Sequence, residues 1–267
     1  MLIEHGGTGT IAGWRTMFWL LALPSVLLGL AALRVLPDTP RHAPWLTRAE
    51  AAWLTATTAA EHTPMADPPR RPVLTALRHR RLLAHAAVYA GLCFALYTLQ
   101  FFLPQMVADA FGSDSVTRVS AAVALCYTLG AACILAVSRR SDRTGERTGH
   151  LSLAALTGAL ALALAPVVAS PLLAAATLTV ALACVLAAVP VFWALPLALP
   201  AGLCASAGVA AVNSLSSVAS FLAPYTTGAL KDLTGTYGAA LLSAAGLLVL
   251  SSGSALLLGR TRHPAGT

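Results

Sequence analysis

The residues of this sequence that could do chemistry are polar side chains set inside long apolar runs. One run carries His85, Tyr89, Tyr97, Gln100 and Pro104. Their offsets from His85, of 4, 12, 15 and 19 residues, put them roughly on one helical face, with Cys93 filling the gap. In lipid such a stripe should face a cavity rather than acyl chains. Tyr97 and Gln100 lie deepest and could donate hydrogen bonds to a carboxylate or a hydroxyl. His85 reads as an interfacial residue. A second run carries Asn213, Ser217, Ser220 and Pro224, at offsets of 4, 7 and 11. Asn213 is the costliest of these to bury and needs a partner. Tyr127 and Trp193 add rings that could cover a bound molecule, although Trp193 could equally anchor at a membrane interface. Spacing leaves a second reading open for both stripes. Tyr89 and Gln100 could bond to neighbouring helices, and Gly202, Ser206, Ala210 and Ser214 form a small-residue run suited to close packing.

What the runs lack matters as much. No Asp or Glu lies in a run interior, Asp109 and Asp232 being the nearest, and no Lys or Arg is deep. Proton coupling needs a titratable relay and anion binding usually uses a cation, so neither is expected of this chain alone. Robust proton-dependent uptake by the isolated chain in proteoliposomes would overturn that. An intramembrane serine hydrolase would need a buried histidine base. His85 and His150 sit at run edges and the other histidines in loops or tails, so no enzyme is expected. Cys93, Cys126, Cys133, Cys184 and Cys204 lie in apolar stretches without a CxxC pair. They read as small buried hydrophobes, and no metal site or cofactor is expected.

A separate cluster, Ser141-Asp142-Arg143-Thr144-Gly145-Glu146-Arg147, falls in a tight connection between two runs. Asp142 can accept from helix-end N–H groups or from an arginine, and Gly145 permits a sharp turn. The plainer reading is a topology-setting charge cluster with a turn in it.

The elements that hold these residues follow from composition. Of 267 residues, 57% are hydrophobic and 10% charged, with a mean hydropathy of +0.75. A soluble domain carries about 25% charge, so lipid is the expected solvent. Runs this uniformly rich in Ala and Leu form helices, not barrel strands. Seven spans are expected, at about 16–36, 84–108, 117–137, 151–169, 172–192, 203–229 and 237–258, with Pro190, Pro196 and Pro200 kinking or ending the fifth. With the N-terminus outside, fourteen basic residues fall on one side, and only Arg15, Arg118 and Lys231 on the other. The positive-inside rule makes the first side, with the C-terminus, cytoplasmic. Topology thus accounts for the net charge of +7 better than nucleic acid does. The first run has no basic segment before it and Arg34 after it, which fits a span and not a signal peptide.

The loop at 37–81 is the longest. Trp45 and Trp53 belong to a short amphipathic helix expected around 47–61, opened by a Thr47/Glu50 capping box. This loop reads as a hinge between bundles, with a surface-lying loop helix as the alternative. It divides the chain into 1–36 (an external loop and one span), 37–81 (a cytoplasmic linker), 82–260 (a six-helix bundle) and 261–267 (a cytoplasmic tail). Six helices after such a loop are half of a repeat-built transporter, so five helices are expected to be missing before residue 1.

Four stretches then carry a resemblance covering nearly the whole chain. They are Gly13-Trp14-Arg15 with Pro24 and Leu36-Pro37-Asp38-Thr39-Pro40; Phe102-Leu103-Pro104-Gln105; Arg139 to Arg147; and Phe192-Trp193-Ala194-Leu195-Pro196 with Val212-Asn213-Ser214 and Gly228-Ala229-Leu230-Lys231-Asp232. In this order they resemble the anion:cation symporter branch of the major facilitator superfamily. The resemblance implies an all-α membrane protein, equivalent to helix 6 plus the C-terminal six-helix bundle of a twelve-helix major facilitator fold. It implies alternating-access transport of small organic anions (carboxylates such as aromatic acids, sugar acids or tartrate-like compounds) across the plasma membrane, with coupling to protons and with the charged groups for both in the N-terminal half. It places Asn213 beside the substrate path and implies a gate at Asp142, Arg143, Gly145 and Arg147; with the polar stripes, the expected substrate contacts are Tyr89, Tyr97, Gln100, Tyr127, Asn213 and Ser217. Two positions depart from the family pattern: Leu21-Ala22 replaces a Glu-Gly pair and Ser138 replaces a glycine. A truncated, non-transporting membrane protein is the alternative.

Overall fold

The computed structural model describes residues 13–61, 79–112, 115–195 and 205–260. The described elements are helices: α1 (Gly13–Val35), α2 (Arg48–Glu61), α3 (Arg80–Phe111), α4 (Val116–Thr144), α5 (Thr148–Leu164), α6 (Pro171–Trp193), α7 (Ala205–Thr234) and α8 (Gly238–Arg260), with a short 3-10 turn at Pro40–His42. They divide into two compact units, within residues 1–66 and 67–267.

In the first unit, α1 is long and apolar enough to cross a membrane, and none of its described residues is buried. α2 starts on the capping box that the sequence encodes. The Glu50 carboxylate accepts from the Thr47 N–H at 2.9 Å, and the Glu50 N–H donates to the Thr47 hydroxyl at 3.3 Å. The backbone bond from Thr47 holds the Glu50 carboxyl below the usual glutamate range.

The second unit is the helical bundle. α3 is its spine, packing against α7, α8 and α6. α5 lies against α8 and α6; α4 rests on α6. Small residues bring the helices close, as lipid-embedded packing requires. A Cβ at Gly91 of α3 would meet the Ser251 hydroxyl of α8 and lie 2.9 Å from the Leu247 carbonyl oxygen. One at Gly130 of α4 would lie 2.8 Å from a Leu186 methyl of α6. Hydroxyls join the same seams. Ser152 of α5 and Ser252 of α8 each donate to the other's carbonyl, at 3.4 and 3.1 Å. The hydroxyls of Thr98 and Thr227 lie 3.3 Å apart, buried between α3 and α7. Gly112 and Gly145 end α3 and α4 at positive φ, 55° and 67°, where a Cβ would be strained.

Among the described residues six helices reach membrane-crossing length; α5, with 17 residues, is a shorter apolar helix. The expected span at 151–169 ends early because a turn follows Leu164 at Ala165-Pro166. Pro190 lies inside α6, which ends at Trp193. Pro196, Pro200, Gly202 and Cys204 fall outside the described residues, as do 1–12, most of the second half of the 37–81 loop, and the 261–267 tail. His85, expected at an interface, is buried, and its Nδ1 lies 2.8 Å from the Arg81 carbonyl oxygen.

Candidate functional site

Membrane-exposed positions of an apolar bundle should be apolar, so exposed polar groups in mid-helix mark where lipid is absent. α3 and α7 carry such groups. The α3 stripe turns as it climbs: His85 is buried, Tyr89 and Tyr97 are half-buried, Gln100 and Pro104 are exposed. Offsets of up to 19 residues rotate the stripe across a wide arc, because 3.6 residues per turn does not divide them evenly. On α7, Asn213 and Ser217 are exposed, while Ser220 and Pro224 are half-buried. Ser217 donates to the Asn213 carbonyl at 2.8 Å. Asn213 therefore lies on the bundle surface and is not a buried amide.

The two helices run parallel. Cys93 sits beside the hydroxyls of Tyr89 and Ser220, Thr98 faces Thr227, and Asp109 pairs with Lys231 at 3.8 Å, so pairing advances in the same direction on both. The candidates consequently occupy two levels. Tyr89, Asn213 and Ser217 lie toward the helix starts; Tyr97 and Gln100 lie higher. Tyr89 and Gln100 are about 16 Å apart along α3, at about 1.5 Å per residue. Tyr127, on α4, is half-buried and packs against the core, apart from both stripes.

The lower level holds an aromatic cluster. The Tyr89 ring stacks on Phe192 at 4.8 Å and meets Trp193 edge-on at 5.0 Å, and His85 lies 6.4 Å from Phe192. Trp193 is thus a packing residue against Tyr89. At the upper level Tyr97 stacks on Phe101 at 6.2 Å. Sequence reasoning missed Tyr225, which is 70% exposed on α7. Its offset of 12 from Asn213 could have revealed it. Uncharged donors and acceptors of this kind recognise a polar solute by hydrogen bonds, without a fixed charge.

The loop cluster sits at the Arg-rich end of the bundle. Asp142 and Arg143 belong to the last turn of α4, and Gly145 is its left-handed cap. Arg147 Nη1 donates to the Ala194 carbonyl, the cap of α6, at 2.6 Å. Arg147 Nη2 lies 3.7 Å from the largely exposed Asp142 carboxylate. The helix-capping acceptor is Glu146, not Asp142. It accepts from the backbone N–H groups of Gly149 and His150 at the start of α5, and its carboxylate lies 3.0 Å from His150 Nδ1. The Gly149 bond, followed by those of His150, holds the Glu146 carboxyl below its usual range. At the opposite end, Lys231 donates to the Tyr237 hydroxyl at 2.6 Å, tying α7 to the start of α8. Among the described residues no cluster of His, Cys, Asp and Glu could hold a metal.

Known proteins place this arrangement. The Major Facilitator Superfamily sequence model matches residues 5–224. Two Agrobacterium vitis proteins named as tartrate transporters are 36% and 34% identical over 97% of this chain. A quinolone resistance transporter of Acinetobacter baumannii is 30% identical over 90% of it. The chain spans 59%, 57% and 55% of these relatives' own lengths. The chain belongs to the Major Facilitator Superfamily, and it is a multi-pass membrane protein and not an enzyme.

Proposed function

We propose that this Major Facilitator Superfamily chain supplies one wall of the path along which a small organic anion crosses the plasma membrane. The exposed polar residues of α3 and α7 carry this reading: Gln100, Asn213 and Ser217, with the half-buried Tyr97 beside them, stand where lipid-facing helices would be apolar. The relatives named for tartrate transport favour a hydroxylated carboxylate. Hydroxyl and amide groups at two levels suit a solute that is handed along as the bundle rocks. Among the described residues, every charged group of the apolar helices lies within about one and a half turns of a helix end. The charge that pairs with the anion, and the carboxylate that would carry a coupling proton, then belong to a facing second bundle. Tyr89 and Tyr127 support the wall from behind, packed against core residues. The basic loops face the cytoplasm in this reading, and Asp142, Arg143, Gly145 and Arg147 latch the inner end. The 37–81 segment links the bundle at 82–260 to the helix within 1–36.

The test is uptake of labelled tartrate and an aromatic acid into proteoliposomes. The chain alone is expected to give no proton-driven uptake. Joined to the N-terminal helices of the tartrate-named relative, it is expected to transport, and Gln100→Ala or Tyr97→Phe should lower uptake about tenfold or more, the loss of one hydrogen bond to a charged solute. Membrane-inserted joined protein that carries none of these anions, or carries them unchanged in both variants, would overturn the proposal.

A further inference from the structure

A groove of about 610 Å³ runs between α4 and α5, away from the α3–α7 face. Both walls pack on α6 and scarcely on each other, so α6 forms the floor, through Cys184 and Ala187. The walls are apolar in the middle, with Cys133 and Val137 on α4 and Leu153 on α5. At the Arg-rich end the lining changes to Arg140, Glu146 and His150. The Glu146 carboxylate is already engaged by the α5 N–H groups and His150. Among the described residues no ion pair engages the Arg140 guanidinium. Residues 139–147 hold four arginines against two carboxylates, Asp142 and Glu146, so this mouth is net positive. α5 continues outward from the groove with exposed Leu156 and Leu160, the surface that acyl chains meet.

We propose that this groove binds an anionic phospholipid, its phosphate on Arg140 and one acyl chain lying over α6 between Val137 and Leu153. Two features select that occupant. A guanidinium at the level of the headgroups matches a phosphate diester in charge and geometry. The apolar trough below it would leave a void against lipid unless a chain entered it, and dense packing disfavours voids. A free phosphate would cover only the mouth. A zwitterionic lipid such as phosphatidylcholine would fill the trough, but its own choline cation cancels the phosphate charge that faces the guanidinium, so it gains less there than a net-anionic lipid.

The test titrates the delipidated full chain in detergent with phosphatidylglycerol and phosphatidylcholine of identical acyl chains, read by native mass spectrometry. Phosphatidylglycerol is expected to bind about fivefold more tightly, the ratio set by one basic side chain at a lipid surface. Arg140→Gln should erase that preference, whereas Arg80→Gln at the start of α3 should keep it. Glycerophosphoglycerol, the same headgroup without chains, should not displace the lipid. A Leu153→Trp reporter, which leaves Arg140 in place, should be quenched by phosphatidylglycerol brominated on its acyl chain. Equal binding of the two lipids, an unchanged preference in Arg140→Gln, displacement by the chainless headgroup, or an unquenched reporter would each overturn the proposal. The reporter keeps it falsifiable if Arg140→Gln fails to fold.

Discussion

Gly91 leaves α8 room that no side chain would. Gly91→Val should push α3 from the Leu247 carbonyl and cost about 1–3 kcal/mol as an overpacked contact, seen as a lower thermal midpoint in detergent. Glu146 acts through its charge. Its folded pKa lies below its unfolded one, so its contribution is complete above the ordinary glutamate value and is lost as pH falls through the folded value. Glu146→Gln should therefore flatten the acid limb of the stability profile below about pH 4.5, and an unchanged limb would remove Glu146 from the account. Some of these roles were legible in the residues and some were not. Gly145 stands at a sharp turn as its place in the motif suggests. Glu146 was overlooked because Asp142 is also a carboxylate beside a helix start. Only the fold shows that α4 carries Asp142 in its last turn, outside the reach of the α5 N–H groups. Tyr225 was less legible because Pro224 before it can end or kink a helix and so reset the face counted from Asn213.

Arg147 matters at the scale of elements, since one guanidinium joins the end of α4 and the start of α5 to the cap of α6. Arg147→Ala should cost about 1.5–3 kcal/mol, the range for a hydrogen bond to a charged group, and should raise hydrogen exchange in the last turn of α6. The Ser152–Ser252 contact is tested by the single variants Ser152→Ala and Ser252→Ala, each of which removes one hydroxyl donated to the other residue's backbone carbonyl. A loss near about 0.6 kcal/mol for each is the usual scale for a polar contact between membrane helices, and no loss in either would make the contact incidental. Most elements could be read from apolar run length. The α2 helix over Arg48–Glu61 follows the capping box almost to the residue. The end of α5 was less legible, because hydropathy runs on through Ala165-Pro166-Val167-Val168 while the backbone turns there. Periodicity also placed His85 and Gln100 on one face; burial separates them, since an arc that wide spans both core and surface.

Within residues 67–267 the helices form a bundle around α3, with polar side chains on α3 and α7 and a groove between α4 and α5; residues 1–66 form a second unit that carries α1. Class and membrane nature were written in composition, since 10% charge cannot cover a soluble surface. The division of labour between faces was not, because which side of α4 meets α6 depends on contacts such as Gly130 against Leu186, far apart in the chain.

The shortness of α5 has a consequence for biosynthesis. At about 1.5 Å per residue, 17 residues reach about 25 Å, short of a hydrocarbon layer about 30 Å thick. α5 thus stands at the short end of the helix lengths that cross a bilayer. Its Ser152, moreover, finds its partner a hundred residues later. The seam between α5 and α8 therefore forms only after the ribosome has completed α8, and until then the packing open to α5 in the bundle is that on α6.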